Sequence, residues 1–310
     1  AEELCFKNFD IKGKATPLPG ELDHNFKIET ENSGGYILKI NRPGTDPDYL
    51  DYQEKLLLHI QNKKPGIKFP RLIQTTSGQY SFTFIDAGNQ TRSVRLLEWI
   101  PGRLWSVVNP QPDELRYSLG EVCGEITCLL QDFNHPKASR VFDWDIAQAS
   151  WTYQYTHLFT QEEKECLLFF TEQFKKIQPQ YQLFRKSVIH NDANDNNIIV
   201  SNDFVDPVVE TIIDYGDAAY SQTINDLAVA IAYAVMGHPD PLTATLPIVS
   251  GYHKKFLLLE EELNILYVLV AMRLVISVTK SAINKKAEPG NVYLQISEKD
   301  AWTLLFKWKN

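Results

Sequence analysis

At Pro101-Gly102 the apolar periodicity of the chain changes from two residues to three or four, and that change limits the folds open to it. Before the break the sequence reads as short alternating strands: HNFKIET (24–30), GYILKI (35–40), RLIQT (71–75), QYSFTFI (79–85) and SVRLLEWI (93–100). One helix interrupts them, from Pro47 to Gln61, with Asp46 as its cap and Leu50, Leu57, Leu58 and Ile60 as its apolar face. After the break come helical patterns at 113–133, 162–177, 224–236 and 263–283. The only strand-like pieces in this half are SVIH (187–190), NIIV (197–200) and ETIID (210–214). The expected class is α+β with two lobes: a small β-rich lobe over residues 1–100 and a larger, mostly helical lobe over 101–310 that carries a β-hairpin. With 310 residues and 44% hydrophobic content, the chain can bury two such cores.

Charge narrows the partners. With 31 Lys+Arg against 39 Asp+Glu the formal charge is −8, which disfavours nucleic acid and favours a small cationic ligand. The four cysteines, Cys5, Cys123, Cys128 and Cys166, form no CxxC pair and no ligand spacing with the seven histidines, so they read as reduced thiols of a cytoplasmic protein. Cys123 and Cys128 are expected in the core, as are Trp99, Trp105 and Trp151. The start, AEELCFKNFD, has neither a basic nor an apolar leader region, so no secretory leader is expected. Leu263 to Val278 is short for a bilayer span and contains Asn264 and Arg273; it reads as a buried helix, with no membrane partner.

The chemistry concentrates in VIHNDANDNNIIV (188–200), where His190-x-Asp192-x4-Asn197 precedes a strand, a turn, a second strand and IIDYGD (212–217). Asp192 and Asn197 flank one loop, and Asp214 ends the strand that returns beside it. Three oxygen-bearing side chains at the mouth of a hairpin suit a hard cation such as Mg²⁺ and the phosphates it carries.

His-x-Asp-x4-Asn followed by Asp-x-Gly-Asp resembles the signature of the aminoglycoside phosphotransferase and choline kinase superfamily, relatives of the protein kinases. The likeness runs along nearly the whole chain in order. YILKI resembles the strand with the phosphate-binding lysine, VRLLEWIPG the hinge, LGEVCGEITCLLQDFNHP the first long helix of the second lobe, and NDLAVAIAY the helix after the metal site. DHNFKI, RLLEWIPG, FNHP and HNDANDNN are most similar to the hydroxylysine kinase branch. Modules of that branch also occur fused to class III aminotransferases and to lyases, so association with such a domain is an expectation. The resemblance implies a two-lobed protein-kinase-like fold and transfer of the γ-phosphoryl group of ATP or GTP, with Mg²⁺, to the hydroxyl of an amino alcohol or hydroxy amino acid.

Residue by residue, the resemblance makes Asp192 the group that accepts the hydroxyl proton, and Asn197 and Asp214 the metal ligands. His190 joins the catalytic set more as a brace of the loop than as a reacting group. Lys39 would neutralise nucleotide phosphates, paired with Glu54 or, three residues earlier, Asp51; Glu98 and Ile100 at the hinge would contact the nucleotide. Asp226 reads as a helix cap or loop brace. Asp217 is open between metal ligand, substrate contact and turn carboxylate, and Trp144 and Asp145 in FDWDIA between an amine pocket and plain structure. Arg273 or Arg140 could receive an acceptor carboxylate. Two departures stand out: Asn194 where protein kinases for Ser/Thr place Lys, and Asn191 where small-molecule kinases commonly have Gly. The segment 18–35 lacks GxGxxG, which leaves phosphate contact to Lys39 and to amides near Asp23 to Asn25. Aminoglycoside, choline, ethanolamine and homoserine kinases are the alternatives within this chemistry. A pseudokinase-like module that only binds nucleotide is the alternative outside it.

Overall fold

A computed structural model of the protein describes residues 1–20, 23–31, 34–287 and 298–310. The chain divides into two compact units, Ala1–Gly102 and Arg103–Asn310.

The first unit is built on an antiparallel sheet of β1 (Lys14–Leu18), β2 (His24–Glu29), β3 (Gly35–Ile40), β4 (Leu72–Ile73), β5 (Ser81–Ile85) and β6 (Thr91–Glu98). The order is β1-β2-β3-β6, with β4 and β5 sharing the far edge of β6. Strand alternation sorts the side chains between two faces. Ile28, Leu38, Ile40, Val94 and Leu96 pack on one face against Cys5 and Phe9 of α1 (Glu2–Phe9). Lys39 and Arg95 point to the other. Helix α2 (Pro47–Lys63) begins as expected, with the Asp46 carboxylate accepting from the Asp48 amide at 3.0 Å. Its buried stripe is Tyr52, Gln53, Leu56, Leu57 and Ile60, so Leu50 and Leu58 are only half-buried and the expected face is rotated by part of a turn.

The second unit runs β7 (Arg103–Leu104), α3 (Asp113–Leu130), a 3-10 stretch Ile146–Leu158, α4 (Gln161–Tyr181), β8 (Lys186–Ile189), β9 (Ile198–Val200), β10 (Val209–Ile212), β11 (Ala219–Gln222), α5 (Ile224–Ala234), α6 (Pro241–Lys255), α7 (Glu260–Ala287) and α8 (Glu298–Lys309). Helix α7 is long and apolar enough to cross a membrane, yet 83% of its most apolar window is buried inside the unit. Helices α3 and α6 meet with almost no clearance. A Cβ on Gly120 would run into the Ile248 carbonyl oxygen and lie 2.7 Å from the Tyr252 amide nitrogen, and one on Gly251 would run into the Tyr117 carbonyl oxygen. Only the missing side chains let these backbones touch.

The four central strands are nested. β9 pairs antiparallel with β10, while β8, which precedes them, pairs antiparallel with β11, which follows. The connections β8–β9 (190–197) and β10–β11 (213–218) therefore emerge side by side at one end. The 201–208 turn lies at the other.

The remaining sequence expectations fare unevenly. Trp105 is 2% exposed, but Trp99 and Trp151 are half-buried and carry Lys27 and Lys280 over their rings. All four cysteines are free thiols; Cys128 is exposed, contrary to expectation, its thiol lying at the end of α6 with the Lys255 carbonyl 3.3 Å away.

Candidate active site

The nested strands bring the two polar loops together. The Ile213 amide donates to the Asn197 carbonyl at 2.8 Å, one step beyond the Ile212–Ile198 pair, which sets Asn197 beside Asp214 at the open end of the β9–β10 hairpin. On the other ladder Ala219 pairs with Ile189, and the Asn191 Nδ2 donates to the Asp217 carbonyl at 3.3 Å.

The 190–197 loop is held by side chains whose orientation their partners dictate. The His190 Nδ1 accepts from the Asp192 amide at 3.2 Å, so the proton sits on Nε2, which donates to the Ile213 carbonyl at 3.1 Å. This imidazole, 1% exposed and edge-on to Tyr215 with centroids 4.5 Å apart, is neutral: burial takes its pKa down to about 4, against the pull of Asp214 and the Ile213 carbonyl. His190 is thus the brace and spans both loops.

Asp226, in the first turn of α5, accepts the His190 amide at 3.2 Å on one oxygen and the Asn191 amide at 2.9 Å on the other. It is a loop brace and not the cap, which falls at Thr223. Burial lifts its pKa to about 6 although both amides favour the anion. Asn191 has φ 66°, a left-handed conformation that suits glycine and that asparagine tolerates.

Asp192 receives hydrogens from three side chains. Asn194 Nδ2 reaches Oδ1 and Oδ2 at 3.0 and 3.1 Å, Asn197 Nδ2 reaches Oδ2 at 2.7 Å, and Arg273 Nη2 reaches Oδ1 at 3.2 Å. The Asn194 amide cannot flip, because its Oδ1 accepts the Asn196 amide at 2.8 Å. Its position, expected only to differ from the lysine of protein kinases, is a second hand on Asp192. Burial and the Asp217 carboxylate raise the Asp192 pKa above the ordinary range, opposed by Arg273 and Asn194. Its side chain keeps 21% exposure, so an incoming hydroxyl can reach it.

Asn197 spends both Nδ2 hydrogens on Asp192, on the carboxylate and on the carbonyl at 2.9 Å, which leaves its Oδ1 for another partner. Asp214, at φ 64°, accepts the Gly216 amide at 3.2 Å. Among the described residues no group of three or more His, Cys, Asp and Glu gathers as a metal cluster.

Two expected pocket residues have other tasks. Asp145 is 2% exposed, and its carboxylate accepts from the Ala147 amide (3.0 Å), Gln148 Nε2 (3.1 Å) and Ser221 Oγ (2.6 Å). It caps the 3-10 stretch and ties it to β11, so it does not line an amine pocket. The Trp144 ring has its cation already: the Arg273 guanidinium carbon lies 4.8 Å from the centroid. Arg273 is not placed to take an acceptor carboxylate either, being 1% exposed with both Nη atoms bonded within the unit. Arg140 donates to the Gly216 and Ala218 carbonyls at 3.2 and 3.5 Å, flanking Asp217.

In the first unit Asn25, Lys39, Arg95 and Ser81 form one row of directly opposed residues across β2, β3, β6 and β5. Ser81 Oγ donates to Glu54 Oε2 at 2.9 Å, which sets Glu54 over the face that carries Lys39. Asp51 instead pairs with Lys55 at 2.7 Å on the outer side of α2. Arg95, directly opposite Lys39, is a second cation on this face and carries no motif in the sequence. Asp23 ties the start of β2 to the end of β3, accepting from Asn41 Nδ2 at 2.8 Å and the Arg42 amide at 2.9 Å. Glu98 ends β6, its amide donating to the Arg71 carbonyl at 2.9 Å, and Ile100 is 8% exposed. Of the segment 18–35, residues 21, 22, 32 and 33 lie outside the described residues.

Comparison with known proteins identifies the family and the fold. The sequence matches the phosphotransferase enzyme family over residues 14–256. It is 27% identical to hydroxylysine kinase of Bos taurus over 97% of this chain and 86% of the relative, and 28% identical to hydroxylysine kinase of Xenopus laevis over 92% and 82%. Among solved structures, a microcompartment-associated aminopropanol kinase superposes with a TM-score of 0.73 at 14% identity, covering 99% of this chain and 96% of that one. An amicoumacin kinase superposes with a TM-score of 0.68 at 15% identity, covering 94% and 87%. A two-lobed kinase-like fold, hydroxylysine kinases among its relatives and a family match over most of its length lead to one conclusion: the chain belongs to the phosphotransferase enzyme family and is a small-molecule kinase that transfers phosphate to a hydroxyl.

Proposed function

We propose that this kinase moves the γ-phosphoryl group of ATP or GTP to the hydroxyl of an amino alcohol or hydroxy amino acid, with 5-hydroxylysine as the leading acceptor. The observation that carries the reading is the Asp192 carboxylate, fixed by Asn194, Asn197 and Arg273 yet still reachable, beside the Asn197–Asp214 end of the hairpin. The acidic neighbours Asp214 and Asp217 favour an acceptor that carries an ammonium group, and the hydroxylysine kinases among its relatives favour the same class.

In this mechanism Asp192 accepts the acceptor's hydroxyl proton as the new O–P bond forms and the bond to the nucleotide's β–γ bridging oxygen breaks. His190 and Asp226 hold the loop backbone that carries it. The donor set of Asn197 Oδ1 and the Asp214 carboxylate, two hard oxygen ligands and no sulfur, fits Mg²⁺, which binds through few protein groups and the nucleotide's phosphates. Bound there, Mg²⁺ would supply neutralisation of phosphate charge. Lys39 would contribute the same from the first unit, oriented by Glu54, with Glu98 and Ile100 meeting the base. We place the reaction in the cytoplasm, a setting that the four free thiols favour.

The test is phosphoryl transfer from ATP and from GTP, with Mg²⁺, to 5-hydroxylysine, ethanolamine, choline, homoserine, threonine and kanamycin, with products identified by mass. Turnover of 5-hydroxylysine or another amino alcohol that vanishes in Asp192→Ala is the expected result. Nucleotide binding without product from any acceptor would overturn the reading and point to a binding module.

A further inference from the structure

Arg273 lies midway along α7, inside the apolar run from Leu269 to Val278, all of it buried. A guanidinium in such surroundings is costly unless its charge and hydrogens are answered, and a methionine of similar length would fill the space without that cost. The answers it receives are specific. Nη1 donates to the Trp144 carbonyl at 2.7 Å and Nη2 to Asp192 Oδ1 at 3.2 Å, while the guanidinium carbon lies 4.8 and 5.5 Å from the Trp144 and Tyr233 rings. Anchoring Nη1 on a backbone carbonyl fixes the plane of the fork, so Nη2 approaches Asp192 from one direction only.

We propose that Arg273 is a positioning residue for phosphoryl transfer: it locks the Asp192 carboxylate in one orientation, and the Trp144 and Tyr233 rings house this internal cation in place of the acceptor's amine. Without Arg273, two asparagine amides would hold the carboxylate, both from its own loop, and nothing would tie it to the helical core. The inference rests on the kinase reading and deepens it. It also separates two roles for a buried arginine near a hydroxy amino acid: steering the base, or gripping the acceptor's carboxylate.

The experiment compares Arg273→Lys and Arg273→Met, alone and combined with Asp192→Asn, on 5-hydroxylysine and on ethanolamine, which lacks a carboxylate. Expected is a fall in kcat of about a hundredfold for Met and about tenfold for Lys, by the same factor on both acceptors, with KM and nucleotide affinity within about twofold. In the Asp192→Asn background, Arg273→Met should cost less than about threefold more. A rise in KM confined to 5-hydroxylysine, or an equal loss with Asp192 already replaced, would overturn the proposal. Should Arg273→Met not fold, the lysine variant alone decides by the same criteria. If the unmodified enzyme turns over no acceptor, the kinase reading fails by itself. The clamp is then judged by thermal unfolding, where Arg273→Lys and Asp192→Asn should shift the midpoint non-additively and additive shifts would sink it.

Discussion

His190 makes the stability of the second unit depend on pH in a way that can be calculated. Its folded value of about 4 lies below an ordinary 6.5 because the ring is buried, with Nδ1 already accepting an amide hydrogen. Between these values the unfolded chain binds a proton that the folded chain refuses, so stability falls as pH falls through the window. Lowering the pH from 7 to 5 should cost about 2 kcal/mol from this residue, out of about 3 kcal/mol for the whole shift at about 1.4 kcal/mol per unit. Asp226 works in the opposite sense. Its value, raised to about 6, lets the folded chain take up a proton first, so between about 4 and 6 acid favours folding. The two nearly cancel in the unmodified protein, and a difference measurement is needed. Urea unfolding of the unmodified protein and of His190→Gln, which keeps Asp226 and cannot be protonated, isolates the imidazole. The stability gap between the two should shrink by about 2 kcal/mol from pH 7 to pH 5. A gap that stays constant would show that His190 is not held neutral, and the tautomer assignment would fall with it.

Gly120→Ala should cost about 1–3 kcal/mol in urea unfolding, because the atoms in the way are backbone of α6, whereas Gly66→Ala, with no atom within 4 Å of the added carbon, should stay within about 0.5 kcal/mol. Asp226→Asn puts an NH₂ group against one of two backbone amides and should lose about 1–3 kcal/mol, with kcat falling more than nucleotide affinity. Asn191→Gly relieves a left-handed asparagine but gives up the bond to the Asp217 carbonyl; stability within about 1 kcal/mol of the parent together with a lower kcat is expected, checked by unfolding and steady-state rates side by side.

The sequence made the loops legible because their chemistry is local. His190, Asp192, Asn197 and Asp214 lie within 25 residues, and the strand patterns around them predict a hairpin that sets the last two side by side. Helix α2 was legible from Asp46 and Pro47. Short or poorly patterned elements were not: α1 spans eight residues, and α6 contains Pro247 and Gly251, held helical by its fit against α3. From sequence Arg273 reads as a break in an apolar run or as a carboxylate receiver; its tie to Asp192 is not legible, since the two are 81 residues apart. Asp145 and Trp144 stay open between an amine pocket and plain structure in the sequence because charge beside an aromatic ring has the same composition whether its cation is a ligand or the protein's own arginine. Row neighbours such as Lys39 and Arg95 need strand register, which alternation alone does not fix.

The nested strands also divide the tolerance of this region to change in length. Loops 190–197 and 213–218 are pinned to each other through His190 and Asn191, so an inserted residue in either would slide Asp192, Asn197 or Asp214 out of its present place. The 201–208 turn at the opposite end carries Phe204 and Val205 at its middle, both at least 80% exposed. Growth there lengthens a surface loop and leaves the paired strands in register. The hairpin therefore has one end where evolution or an engineer can add sequence, for a label or a binding tag, and one where every residue is counted.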